Sequence, residues 1–180
     1  MGLRPGKCYR HIRGKAYTRK ATRVMKKAFI RGIPGSKISL FDMGNKTKRN
    51  WVMGVDMVCK DTLQIRHNQL EAIRMLIFRK LNKNIGRENF FFRIRAYPHH
   101  VLRENRMATG AGADRFQQGM KMAFGKPIGV AARVKKGKTL LSVYIDSDEH
   151  IPIIKEAFRL SKNKLSGDYY FIINPKVGYV

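Results

Sequence analysis

The chain has 180 residues, of which 38 are Lys or Arg and 12 are Asp or Glu, for a formal net charge of +26. That excess repels itself in a compact state, and binding a polyanion relieves it through counterion release, so nucleic acid is the expected partner and an anionic membrane surface the alternative. A hydrophobic content of 43% excludes a histone-like tail throughout, and no run of about 18 apolar residues exists to form a spanning helix.

The basic start is followed by no apolar run, so a secretory signal is not expected. Cys8 and Cys59 form no Cys-x-x-Cys pair. Neither a zinc site nor a disulfide framework is indicated, and a reducing compartment is expected.

The first 41 residues carry twelve Lys or Arg and no acid; the first acid is Asp42. Arg4, Lys7, Arg10, Arg13, Lys15, Arg19, Lys20, Arg23, Lys26, Lys27 and Arg31 recur about every third residue. Arg grips phosphate with a planar fork and Lys acts as a point charge. Tyr9, His11, Tyr17 and Phe29 lie among them, suited to stacking on splayed bases. This composition points to RNA contact over 1–35, with a disordered adhesive tail as the alternative. Residues 1–35 read as a basic extension and 36–180 as a single globular domain.

Ile38 and Leu40 alternate, which predicts a first short strand. A basic loop over 44–50 offers Lys46, Lys48 and Arg49 to phosphate, and 51–59 reads as a second strand. Over 68–84, Leu70, Ile73, Ile77 and Leu81 form one helical stripe, with His67 or Asn68 as cap and Asn84-Ile85-Gly86 as stop. Over 89–97, period-two alternation predicts a strand. Phe90, Phe92, Ile94 and Ala96 face a core; Phe91, Arg93, Arg95 and Tyr97 form a basic aromatic surface. The alternatives for that surface are plain solvation or cover by a helix.

A long glycine-containing loop is predicted over 103–119. Gly110 and Gly112 lack the strand-to-helix context and the Gly-Lys-Ser/Thr signature of a nucleotide loop. Lys121, Lys126, Arg133 and Lys135 are further candidate phosphate contacts, a solvated turn at 125–127 being the alternative. Alternation over 128–135 and 138–146 predicts a hairpin across Lys136-Gly137, with Ser142 and Tyr144 on its second face. A helix over 150–162 buries Ile151, Ile154 and Phe158, with Leu165 beyond it also inward, and 169–174 reads as a closing strand. Strands and helices mix without a βαβ rhythm, so the expected fold is α+β, a two-layer sandwich of mixed or antiparallel sheet with two helices.

Catalytic signals are weak. His11, His67, His99, His100 and His150 show no metal-ligand spacing. Asp146, Asp148 and Glu149 suit the positive end of a helix better than a cation, and Ser142 and Ser161 lie in no nucleophile elbow. No enzyme activity, cofactor or metal is expected. An RNA-modifying or RNA-processing enzyme is the alternative class, and a DNA-architectural protein a third.

Three segments carry a resemblance. Arg4-Pro5-Gly6-Lys7-Cys8-Tyr9-Arg10, Ala111-Gly112-Ala113-Asp114-Arg115-Phe116-Gln117-Gln118-Gly119-Met120 and Ala123-Phe124-Gly125-Lys126-Pro127 resemble, in order, the archaeal and eukaryotic large-subunit ribosomal protein ten-e family. Its bacterial counterpart is large-subunit protein sixteen. The resemblance implies a hammerhead-like α+β sandwich. It implies binding of large-subunit ribosomal RNA near the aminoacyl-tRNA site, a threading N-terminal extension, and late joining of the subunit. It also implies that loop 103–118 (Arg103, Arg106, Met107, Thr109, Gly110, Gly112, Asp114, Arg115, Gln118) reaches toward the peptidyl transferase centre and the tRNA acceptor arm. Implied partners are ribosomal RNA, tRNA and neighbouring large-subunit proteins in the cytoplasm, with no membrane and no homo-oligomer. Thr109-Gly110 stands where eukaryotic relatives carry Ser-Cys, which favours the archaeal form, and side-chain roles at the tip are not carried over.

Overall fold

The computed structural model describes residues 3–19, 23–108, 110–117 and 119–175. Lys20, Thr109 and Gln118, named above as candidate contacts, lie outside the described residues.

Helix α1 spans His67–Asn84 and buries Leu70, Ile73, Ile77 and Leu81, the stripe that the spacing predicts. Its cap is Arg66, one residue before the expected His67 or Asn68. Gln69 fixes that start, its Oε1 accepting from the Arg66 N–H at 3.1 Å. Ile85 closes the helix by donating to the Leu81 carbonyl, and Gly86 turns away at φ +86°. Helix α3, Ile151–Lys162, follows a short 3-10 turn over Asp148–His150 and buries Ile154 and Phe158. The two helices pack on each other.

The strands are β1 Asp42–Gly44, β2 Met53–Cys59, β3 Leu63–Arg66, β4 Phe90–Ile94, β5 His100–Glu104, β6 Lys126–Val134, β7 Thr139–Ile145 and β8 Tyr169–Asn174. They build two antiparallel sheets, one ordered β1-β4-β7-β2-β8 and one ordered β3-β6-β5. The α+β two-layer expectation holds. On the inner face of the larger sheet, Met43, Phe92, Val143 and Val55 stand in one cross-strand row, and Ile94, Leu141, Met57 and Phe171 in the next. These rows join the buried stripes of α1 and α3 and residues Leu63, Ile65, Ala132 and Val134 of the smaller sheet in one core.

Three sequence expectations are corrected. The first strand is not at 38–40: Ile38 is buried but Leu40 is exposed, and the Lys37 N–H donates to His67 Nδ1 at 2.8 Å instead of to a ladder. The strands at 128–135 and 138–146 form, but not as a hairpin. β6 pairs with β3 and β5, whereas β7 pairs with β2 and β4. Gly137, at φ +77°, donates to the Cys59 carbonyl at 2.8 Å, so the turn carries the chain from one sheet to the other. Ser142 and Tyr144, on the second face of β7, are buried as well, because β7 is the central strand and its outer face is covered too. Trp51, Phe91 and Tyr144 form a small cluster on that face.

The expected loop also starts later. Residues 103 and 104 belong to β5, a strand not read from the sequence, and the segment before β6 contains a helical turn, α2, Ala113–Phe116, and a 3-10 turn over Gly119–Met122. Gly125 closes the loop where two chain segments cross. Its φ is +77°, and a Cβ there would stand 2.7 Å from the Glu104 carbonyl carbon.

Candidate nucleic-acid interface

The arm lies along the smaller sheet and is gripped mostly through its backbone. Arg133 on β6 donates to the carbonyls of Gly14 at 2.8 Å, Lys15 at 3.3 Å and Arg13 at 3.4 Å. The Gln64 N–H donates to the Arg10 carbonyl at 2.9 Å, and Arg66 Nη1 to the Arg4 carbonyl at 2.9 Å. Tyr17 is held twice: its N–H donates to His100 Nδ1 at 3.0 Å and its carbonyl accepts from the Val101 N–H at 3.1 Å. Beyond it, Ile30 packs with Val101 and Val130 in a separate apolar cluster.

This mode of attachment settles the electrostatics. Arg4 pairs with Glu104, and Arg10 with Asp61 at 3.5 Å. Lys7, Arg13, Lys15, Arg19, Arg23, Lys26, Lys27 and Arg31 are exposed, and none of them joins an ion pair with a described acid. The result is a row of exposed cations on an arm whose backbone is fastened to the smaller sheet between Arg4 and Tyr17.

The aromatic residues of the arm divide. The Tyr17 ring lies 5.8 Å from His100, stacked, and 5.7 Å from Phe29. The Arg103 guanidinium sits 4.3 Å from the Tyr17 ring centre and 3.7 Å from that of Phe124, and donates to the Phe124 carbonyl. Arg103 therefore locks the base of the loop to the arm. Tyr9 packs under the Arg66 guanidinium at 5.3 Å, and burial, with Glu104 nearby, pushes its phenol up. His11 is exposed. His100 is buried, and burial, with Arg133 beside it, pulls its imidazole down to about 4, so it stands neutral and accepts from the Tyr17 N–H.

The second candidate surface, on β4, is already engaged within the protein. Phe91 is buried and stacks on Tyr144 at 5.8 Å. Arg93 pairs with Asp42 at 2.8 Å, a bond that raises its guanidinium further. Arg95 donates to Ser142 Oγ at 2.6 Å and to the Tyr144 hydroxyl. Tyr97 is exposed and lies 5.6 Å from Phe41. In the loop at 44–50, Lys46 and Arg49 are exposed, while Lys48 pairs with Asp146 at 2.5 Å and covers Trp51.

In the loop after β5, Arg106 reaches Glu104 at 3.3 Å and Arg115 is exposed. Gln117 ties the two limbs together, donating to the Arg106 carbonyl and accepting from the Ala108 N–H. Gly110 and Gly112 take φ +134° and +76°, backbone conformations that favour glycine. Asp114 lies in the α2 turn. Met107, Met120, Met122 and Phe124 are exposed around the loop base, joined by Lys121 and Lys126, and Lys135 is exposed at the end of β6. Sequence reading did not single out Gln64, Arg66, Glu104 or His100 for this surface. Only the pairing of β3, β5 and β6 brings them to the arm, and only His100 carried a signal, as a polar residue opening a run of apolar positions.

The residues 14–172 match the family model for ribosomal protein L16p/L10e. The chain belongs to that family. Its relatives include proteins named large ribosomal subunit protein uL16. The one from Methanospirillum hungatei is 46% identical, covering 98% of each chain. The one from Metallosphaera sedula is 43% identical over 97% of this chain and 96% of its own. That from Methanoculleus marisnigri is 51% identical over 80% of each. These are archaeal organisms, in keeping with Thr109-Gly110. The family comprises structural ribosomal proteins rather than enzymes. Among the described residues, no helix is long and apolar enough to cross a membrane.

Proposed function

We propose that the chain is a structural constituent of the large ribosomal subunit that clamps ribosomal RNA near the aminoacyl-tRNA site and the peptidyl transferase centre. Residues 1–35 act as the anchoring extension. Residues 36–180 act as the domain that aims the loop at 103–118 toward the tRNA acceptor arm, and late subunit assembly depends on both. Peptide bond chemistry belongs to the RNA. Neighbouring large-subunit proteins complete its surroundings in the cytoplasm, without a membrane or a second copy of the chain.

The observation that carries this reading is the arm held by its carbonyls. A tail of free cations pays a large entropy cost on ordering against RNA. Here the backbone is already fastened between Arg4 and Tyr17, so Lys7, Arg13 and Lys15 meet phosphates with little further ordering, and Arg19, Arg23, Lys26, Lys27 and Arg31 extend the cationic row. The test is to purify large subunits carrying a tagged chain and crosslink at Arg13, Arg106 and Arg115. Crosslinks from Arg13 to ribosomal RNA, and from Arg106 or Arg115 to tRNA in the aminoacyl site, are expected. A chain that fails to sediment with the large subunit rules the reading out.

A further inference from the structure

A cleft of about 600 Å³ opens between the arm and β5. Tyr9 and Tyr17 stand on its walls, Arg103 beside them, and His11 and Arg13 at its exposed rim. Gln64 also lines it and is 7% exposed. Its backbone is fixed on both sides, by the Arg10 carbonyl and by pairing with Arg133 across β3 and β6. Yet its side-chain Oε1 is buried with no donor. A buried amide oxygen left unpaired is unfavourable, so a ligand that brings a donor to this wall of the cleft gains by satisfying it.

We propose that this cleft receives one unstacked base of the RNA clamped by the arm, with Gln64 pairing to the base edge. An amide presents an acceptor beside a donor. Every nucleobase offers the complement, an N–H next to a ring nitrogen or a carbonyl, so the pocket takes a base without demanding one identity. Tyr9 supplies aromatic surface for stacking, Tyr17 being already packed by His100 and Arg103, and Arg13 at the rim lies within reach of the flanking phosphates. The excess of rim cations over acids selects a base within a polynucleotide over a free nucleotide. The inference deepens the RNA-clamping reading and rests on it.

The test uses the full chain and three single-stranded RNA probes: hexauridylate, the same hexamer with all six uridines replaced by 3-methyluridine, and the same hexamer with all six riboses abasic. The methyl group removes the N–H that Gln64 Oε1 accepts. Binding is expected to fall roughly tenfold for the methylated probe, as for removal of one hydrogen bond to a buried acceptor, and at least as far for the abasic one. Gln64→Leu brings the unmodified and methylated probes to equal affinity, while the wild-type comparison stands by itself if that variant folds poorly. Side-chain amide resonances of Gln64 shift with hexauridylate. Equal binding of all three probes overturns the base pocket and leaves RNA clamping intact. Failure of all three to bind removes both. Uridine monophosphate competing as well as the hexamer makes this a free-nucleotide site and overturns the assignment to RNA.

Discussion

Arg133 Nη1 donates to the Gly14 carbonyl at 2.8 Å, and so fastens the basic arm to β6 by its backbone rather than by its charge. Two cationic segments that repel each other at long range are thus joined at short range through neutral carbonyls. A carbonyl carries partial negative charge, and the Arg fork reaches three of them at once.

Replacing Arg133 with Met keeps the apolar stem and removes the fork. The arm then lacks all three of those hydrogen bonds, so the expected destabilisation is about 1–3 kcal/mol, with cleavage of the arm by trypsin accelerated well ahead of the core. Arg133→Lys rescues little, because the compact ammonium lacks the wide planar fork that spans the separated carbonyls. Urea melts and timed proteolysis measure both; an arm equally protected in the Met variant contradicts the clamp.

The unpaired cations set the salt response. Binding to a ribosomal RNA fragment is expected to weaken steeply with salt, and changing Lys26, Lys27 and Arg31 to Gln flattens the log–log slope by about 0.9 for each phosphate no longer neutralised. Changing Arg93, which already pairs with Asp42, alters that slope less. A slope insensitive to the triple change places those side chains away from the RNA.

Shortening the loop between Arg106 and Gln117, with the Gln117 ties replaced by a two-residue turn, is expected to leave RNA attachment intact and to impair tRNA accommodation or late maturation of the subunit. Arg103 and Phe124 are left in place because they hold the arm. Subunit profiles and tRNA binding separate the two effects. Loss of incorporation as severe as that from deleting residues 1–35 refutes this division of labour.

His100 makes the arm's seat sensitive to acid. In the unfolded chain its imidazole protonates near 6.5, whereas in the fold it resists to about 4. Between those values the unfolded state binds more protons, so stability falls as pH drops through the window, by on the order of 2 kcal/mol. His67, also lowered by burial, acts in the same direction. His100→Gln keeps an acceptor for the Tyr17 N–H and does not titrate, so its stability is expected to change less between pH 6.5 and about 4. Identical pH slopes in chemical denaturation would falsify this role for His100.

The elements readable from the chain alone are those whose burial is periodic. Leu70, Ile73, Ile77 and Leu81 mark α1, and Phe90, Phe92 and Ile94 mark the inner face of β4. β5 escaped because His100-Val101-Leu102 has no alternation to read: all three are buried, His100 and Val101 against the arm. The false hairpin has a different cause. Alternation reports which face of a strand is apolar, not which strand lies beside it, and β6 and β7 are each better paired elsewhere.

The charge excess, the Arg-aromatic arm and the two helical stripes follow from residue order, because they depend on composition and on neighbours three or four positions away. Those features point to RNA and to an α+β domain without any structure. Which cations stay free depended on the fold. Asp42, Asp61 and Glu104 lie far along the chain from Arg93, Arg10 and Arg4, and each pair meets only because the chain crosses itself in space. The cleft beside Gln64 is likewise a product of the fold, since it exists only where β3, β5 and the arm converge. Burial without a partner is a property of that convergence, and no local pattern encodes it.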